Sequence, residues 1–270
     1  MEMDLPSSED LEHDAFERPM YNLLRATLQY PADTESLAAK LAEDIVFICQ
    51  AEAQKEGVKG FLFFIWTIII DIARCVPPDH PWQDCLVRAI HHLRQREGIV
   101  PGMGELGRWR DLPDLVMRVR EEWEDDPIIA GDEEMEAGLT KRKNFISFVA
   151  RLTTSSFAPW LNLPLYDIRD ALEEPLREGP RGELLVWVAC EWLERCTQVI
   201  FEHWTRSDIK PEISLRTGSL CGDDIPQVGV ARWEFWKKRL GVIAADAENL
   251  KLDSSSVERI SETLARMSAV

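Results

Sequence analysis

Apolar residues recur every three to four positions along most of this 270-residue chain. Leu37, Leu41, Ile45 and Ile48 show the spacing, and no stretch alternates cleanly between apolar and polar residues. This spacing places apolar side chains on one face of an α-helix, whereas a strand with one buried face requires alternation. The sequence therefore predicts an all-α fold, either an antiparallel multi-helix bundle or an irregular helical stack, with no significant sheet.

The longest apolar run begins at Phe61 and ends at Ile70, where Asp71 and Arg74 interrupt it. A helix that spans a bilayer needs about 20 apolar residues, so this shorter run predicts a buried helix and no membrane span. Its Ile and Phe content also suits a buried strand, but its length favours a helix.

The start of the chain differs in composition from the rest. Residues 1–18 are acidic and polar, without the basic start and apolar run of a signal peptide, so they are predicted to form a disordered acidic leader. Residues 19–270 are predicted to form a single all-helical domain around one tryptophan-rich core. Within it, the acidic residues near 121–136 predict an exposed connection, and Arg181–Trp204 is expected to be the longest helix.

Charge and cysteine usage restrict the compartment and the partners. The formal net charge of −17 repels phosphate backbones and anionic lipid heads, and the basic clusters are short, so we expect neither nucleic acid nor membrane as a partner. Six cysteines occur without a C-x-x-C pair. They are predicted to be free thiols in a cytoplasmic protein, with the nucleus as the alternative compartment.

Motif spellings for metals and cofactors lack their structural context. His13-Asp14 has the spelling of the metal-binding pair of helical phosphohydrolases, but no matching downstream aspartate is identifiable. Gly102–Gly107 spells G-x-G-x-x-G without a preceding strand. Asp125-Asp126 runs into proline and lacks the third aspartate of a magnesium-binding cluster. The sequence therefore predicts no metal and no cofactor, and it leaves the catalytic residues unknown.

Ten tryptophans occur in the chain. Core packing is the simplest explanation, because a buried indole removes a large apolar area from water. A sharper hypothesis is an apolar binding pocket lined by indoles, with polar side chains that orient the ligand. The predicted pocket residues are Arg151, Trp187, Glu191, Trp192, Arg232, Trp233 and Trp236.

Three segments together resemble one known family. They are Lys143–Thr153, Glu183–Cys196 and Arg232–Leu240, the last with an arginine-tryptophan pair and a second tryptophan three residues on. The family that they resemble is a fungal family of helical proteins of unknown function, often encoded near secondary-metabolite genes. The resemblance implies a helical fold and a link to secondary metabolism, and it supplies no catalytic residues.

Two functional hypotheses follow. The first is a helical scaffold that binds an unknown protein partner or a small apolar ligand, and a homodimer is left open. The alternative is a metal-independent pocket enzyme, of the isomerase or cyclase type, acting on a fungal secondary metabolite. A pocket with a titratable group of perturbed pKa would favour the enzyme, whereas a flat exposed apolar patch would favour the scaffold.

Overall fold

The computed structural model describes residues 3–54, 60–105, 107–125, 132–206, 208–210 and 212–270. Within these ranges there is no strand, and the fold is all-α as the apolar spacing predicted. The twelve α-helices are α1 (Glu17–Leu28), α2 (Thr34–Ala53), α3 (Phe61–Cys75), α4 (Pro81–Gln95), α5 (Leu115–Glu124), α6 (Asp132–Leu152), α7 (Asn162–Leu172), α8 (Pro180–Arg195), α9 (Thr197–Trp204), α10 (Val230–Ala245), α11 (Ala247–Leu250) and α12 (Ser254–Met267).

The chain divides into two compact units. Unit 1 is Met1–Phe148 and unit 2 is Val149–Val270, so the division falls inside α6. The single domain over 19–270 stays a prediction, and each unit is described below by itself.

Unit 1 is organised around α3, which is the predicted apolar helix. Nine of its residues are buried, and the indole N–H of Trp66 donates to the carbonyl of Pro113 at 2.7 Å. Helices α1 and α5 pack against α3, and α2 packs against α4. No helix of the described residues has both the length and the apolar character needed to cross a bilayer.

The segment before α1 also packs in unit 1. Leu5 is 2% exposed, and the hydroxyl of Tyr21 donates to the carbonyl of Pro6 at 2.6 Å. These contacts give the described part of the acidic leader before α1 a defined position in the structure. Its predicted disorder over 1–18 stays a prediction about the chain in solution.

Only part of the exposed connection predicted near 121–136 belongs to the described residues. Residues 121–124 belong to α5, and α6 begins at Asp132. The middle of this predicted connection, residues 126–131, lies outside the described residues.

Unit 2 contains the helix that the sequence predicted as the longest. Instead of one helix over Arg181–Trp204, the structure has α8 and α9, separated at Cys196. The backbone of Cys196 leaves the helical region with φ −119° and ψ 17°, while its thiol donates to the carbonyl of Ala150 at 3.3 Å. The predicted single helix is therefore wrong, and α6 is longer than either piece.

Candidate functional site

A polar cavity of about 230 Å³ opens on unit 1. Its wall is formed by the segment before α1, by α3 and by the middle of α6. Charged groups of both signs dominate the wall, which consists of Asp10, Leu11, Glu12, Asp71, Arg74, Cys75 and Lys141. Small-molecule binding sites are concave and use a few polar groups to fix the orientation of the ligand, and this wall is richer in charged groups than most of them.

Asp71 is held in the wall by His13. Nε2 of His13 lies 3.0 Å from Oδ2 of Asp71, and the imidazole is 4% exposed. Burial raises the pKa of the Asp71 carboxyl, although the hydrogen bond and the charge of His13 oppose that shift. Nδ1 of His13 is buried and has no hydrogen-bond partner among the described residues.

The local sequence explains why His13 reaches this position. Two hydrogen bonds from Ser7 to the carboxylate of Asp10, from the backbone N–H at 2.9 Å and from Oγ at 2.7 Å, fold the leader into a turn. The ring of Tyr21 on α1 then lies 4.7 Å from the imidazole, centroid to centroid. The hydrogen-bonded turn and the aromatic contact fix His13 against α3.

Arg74 supplies a positive charge to the cavity, and an ion pair with Glu122 fixes its side chain. Its Nη1 lies 2.5 Å from Oε1 of Glu122, whose other oxygen accepts from Nη2 of Arg118 at 2.8 Å. Nε of Arg118 donates to the hydroxyl of Thr67 at 3.0 Å. The network is half-buried and partnered on both sides, so it positions Arg74 with little freedom.

Lys141 and Cys75 complete the wall. Lys141 is exposed and makes no ion pair within the described ranges. Burial raises the pKa of the Cys75 thiol, and the ammonium of Lys141 only partly opposes this. Since the thiolate is the nucleophilic form, Cys75 is an unreactive thiol at neutral pH.

The chemistry available in the cavity follows from these groups. Three carboxyl groups and two cations nearly balance, and burial raises the pKa of the Asp71 carboxyl. The wall can therefore donate and accept hydrogen bonds to a molecule without net charge. Asp71 can also exchange a proton with that molecule.

The seven predicted pocket residues all lie in unit 2, but they do not form one cluster. Three lie together on α10, two lie together on α8, and the other two lie apart. The first group contains Arg232, Trp233 and Trp236 on α10. Nε and Nη2 of Arg232 donate to the two oxygens of Glu173 at 2.6 and 3.0 Å, and the indole N–H of Trp236 donates to Glu173 Oε1 at 2.6 Å. The indole of Trp233 lies beside that of Trp236, with centroids 6.0 Å apart.

Arg232 has no N–H left for a ligand. Beyond the two bonds to Glu173, its Nη1 donates to the carbonyls of Leu215 and Gln227 at 2.9 and 2.5 Å, and its Nη2 donates to the carbonyl of Arg216 at 3.4 Å. A guanidinium has five N–H groups, so every donor has a partner within unit 2. In the structure Arg232 fastens the loop before α10 to the end of α7.

The second group contains Trp187 and Glu191 on α8. Glu191 accepts from Nε of Arg195 at 3.0 Å and from Nη2 of Arg259 on α12. The guanidinium of Arg259 lies 4.5 Å from the centroid of the Trp187 ring. These contacts join α8 to α12.

The remaining two predicted residues lie apart. The indole N–H of the fully buried Trp192 donates to Oδ2 of Asp167 at 2.7 Å. Arg151 is half-buried near the end of α6. A ligand role for the seven predicted pocket residues stays a prediction. The side chains that they bond to, Glu173, Asp167 and Arg259, could not be predicted from the apolar spacing.

Unit 2 also has a cavity, of about 360 Å³. Apolar side chains of Leu161 and Val199 share its wall with Glu202, His203 and Arg206. Burial, and then the charge of Arg206, lower the pKa of His203. The imidazole is therefore neutral at neutral pH.

All six cysteines are free. Burial raises the pKa of Cys49, Cys85, Cys190, Cys196 and Cys221 to about 12. Within the described ranges, no three His, Cys, Asp or Glu side chains are grouped so that they could hold a metal ion.

Comparison with known proteins gives a family match. A family model described as "Protein of unknown function (DUF3632)" matches residues 66–240, which is more than half of the chain. No curated protein and no solved structure matches the chain. The matched range includes all three segments on which the family resemblance depends. The chain therefore belongs to the DUF3632 family of proteins of unknown function.

Proposed function

We propose that this protein binds a small polar molecule without net charge in the cavity of unit 1. The observation that carries the proposal is the wall itself, in which Asp10, Glu12 and Asp71 are balanced by Arg74 and Lys141. A strongly charged ligand would meet like charges on some part of this wall. A polyhydroxyl compound or a zwitterion would find both donors and acceptors.

In this proposal the small ligand of the scaffold hypothesis binds at a polar wall in unit 1, and not in the predicted apolar pocket lined by indoles. The sequence predicts an apolar ligand among indoles, yet the N–H groups of Trp192 and Trp236 are bonded to Asp167 and Glu173 inside unit 2. Such bonds are typical of structural tryptophans. The cavity of unit 1 instead offers polar groups at its wall.

One observation favours the enzyme alternative as a second candidate. Asp71 is a carboxyl group of raised pKa in a cavity, held by a buried imidazole. Perturbed carboxyl groups in clefts are enriched at catalytic sites. A metal-independent isomerase is the form of this candidate that needs only these groups.

The same proposal includes a fungal origin, a link to secondary metabolism and a cytoplasmic or nuclear location. Its support is the family resemblance, which implies a fungal protein encoded near secondary-metabolite genes. A net charge of −17 and six free thiols support a cytoplasmic or nuclear location.

The test is a binding titration with three net-neutral probes and one anion. Dihydroxyacetone, glyceraldehyde, alanine and lactate are titrated against the protein, and binding is followed by saturation-transfer NMR. We expect at least one of the three net-neutral probes to bind, and lactate to bind more weakly.

A matched pair of variants locates the binding. Lys141→Met removes a cation from the cavity wall, and Lys238→Met removes an exposed cation from unit 2. We expect Lys141→Met to weaken the probe that binds by about tenfold, the size of one hydrogen bond to a charged group, and Lys238→Met to leave it unchanged. Binding of none of the four probes, or equal binding by both variants, contradicts the proposal.

A further inference from the structure

We propose that Asp71 transfers a proton to and from a carbon atom next to the carbonyl of a small hydroxyaldehyde or hydroxyketone bound in the cavity of unit 1. His13 is the positioning residue for this step. The inference rests on the proposed function, because it requires the molecule to bind at that wall.

The geometry leaves one oxygen of Asp71 available. Oδ2 is held by Nε2 of His13 at 3.0 Å, while Oδ1 makes no hydrogen bond within the described part of the chain. Asp71 is also part of the cavity wall. A carboxyl group that is fixed through one oxygen and open through the other can meet a bound C–H group in one orientation.

The surroundings of Asp71 give it the basicity that the step needs. His13 faces it from the leader, Arg74 lies one turn along α3, and Glu122 approaches from α5. Tyr21 and Cys75 are also near. Burial is the largest influence and raises the pKa of Asp71, which makes it a stronger base than an exposed aspartate.

Atoms and charge balance within the cavity. The C–H bond next to the carbonyl breaks, its proton goes to Oδ1 of Asp71, and the electron pair moves onto the carbonyl oxygen to give an enediolate. The ammonium of Lys141, across the same wall, stabilises that negative oxygen. A proton passes between the two substrate oxygens, and Asp71 returns its proton to the neighbouring carbon, so the hydroxyaldehyde becomes the hydroxyketone.

A buried His–Asp contact that only fastened the leader to α3 would need neither an open carboxylate oxygen nor a place in a cavity wall. Asp71 has both. The experiment must therefore separate chemistry from folding.

The experiment follows deuterium exchange of two probes in heavy water. Dihydroxyacetone and glyceraldehyde are incubated with the full-length protein, and proton NMR records loss of the C–H signals and interconversion of the two compounds. Binding of the same probes is measured in parallel by saturation transfer. We expect exchange above the protein-free rate with the wild type.

Three variants test whether Asp71 is the group that transfers the proton. We expect Asp71→Asn to lower the exchange rate, measured at saturating probe, by about 100-fold or more, the usual contribution of a general base. Asp71→Glu, which keeps a carboxyl group, should retain part of the rate. Asp223→Asn, at an exposed position of unit 2, should exchange at the wild-type rate.

His13→Gln tests the positioning role through the pH profile. His13 lowers the pKa of Asp71 through its hydrogen bond, so its loss should raise that pKa. The rising limb of the exchange rate should then move to higher pH. A limb that stays at the wild-type pH would contradict the positioning role.

The outcomes separate the two proposals. Probe binding without exchange, or exchange that survives Asp71→Asn, overturns proton transfer and leaves the binding function standing. Absence of probe binding overturns both.

Discussion

Arg232 illustrates how a residue chosen for a ligand role can be fully used by the fold. Replacing it with Met leaves the Glu173 carboxylate buried without its cation, and removal of one partner from a buried ion pair costs about 3–5 kcal/mol. We expect Arg232→Met to lower the free energy of unfolding by that amount, measured by urea denaturation.

A matched control lies on the same helix. Lys238 is exposed on α10, and Lys238→Met should change the free energy of unfolding by no more than about 0.5 kcal/mol. Equal stability of the two variants would show that the Arg232–Glu173 pair is not formed in solution.

His203 gives unit 2 a dependence on pH. Its pKa is lowered in the folded chain, so the unfolded chain binds the proton more tightly. Stability contributed by this group is present above about pH 6.5, the ordinary value for histidine, and is lost as the pH falls towards the lower folded value.

We therefore expect His203→Gln to lose less stability than the wild type when the pH falls from 7.5 to 5. Thermal melts at several pH values measure the difference. His91, whose pKa is also lowered by burial, remains as a second contribution in both proteins. Parallel pH profiles of the two proteins would contradict the prediction.

At the scale of elements, the loop before α10 is held by the carboxylate and the backbone carbonyl of Glu173. The backbone N–H of Gly218 donates to Oε2 of Glu173 at 2.8 Å, and that of Leu220 donates to the backbone carbonyl of Glu173 at 2.9 Å. A Cβ at position 218 would lie 2.5 Å from that carbonyl oxygen. The loop can keep this close approach only with glycine.

The prediction compares two glycines. Gly218→Ala should destabilise the protein by about 1–3 kcal/mol through overpacking. Gly241→Ala, where an added Cβ meets nothing within 4 Å on α10, should stabilise it by about 0.5–1 kcal/mol. Chemical denaturation of both variants checks the opposite signs, and a neutral Gly218→Ala would contradict the tight approach.

The sequence predicted elements well where apolar spacing decides them. The run beginning at Phe61 is the buried helix α3, as expected from its length. The break between α8 and α9 was missed because Leu193, Cys196 and Ile200 are all buried and continue the spacing across it. Periodicity reports which face is buried, and it does not report a local change of backbone angle at Cys196.

At the scale of the whole molecule, the candidate site depends on contacts that sequence spacing does not encode. His13 meets Asp71, 58 residues away. The neighbouring Asp14 instead accepts from the backbone N–H groups of Phe16 and Glu17, at the start of α1. The aspartate that His13 contacts is therefore not the one beside it in the sequence.

The leader connects the fold to the proposed function, because it supplies one wall of the cavity and positions Asp71 through His13. Amide hydrogen exchange of residues 3–14 tests this arrangement directly. The N–H groups of Leu11, Glu12 and His13 bond to the carbonyls of Ser7, Glu9 and Ser8. We expect these three amides to exchange at least about tenfold more slowly than in an unstructured peptide. Exchange at the unstructured rate would mean a disordered leader, and neither the cavity nor its chemistry would then exist.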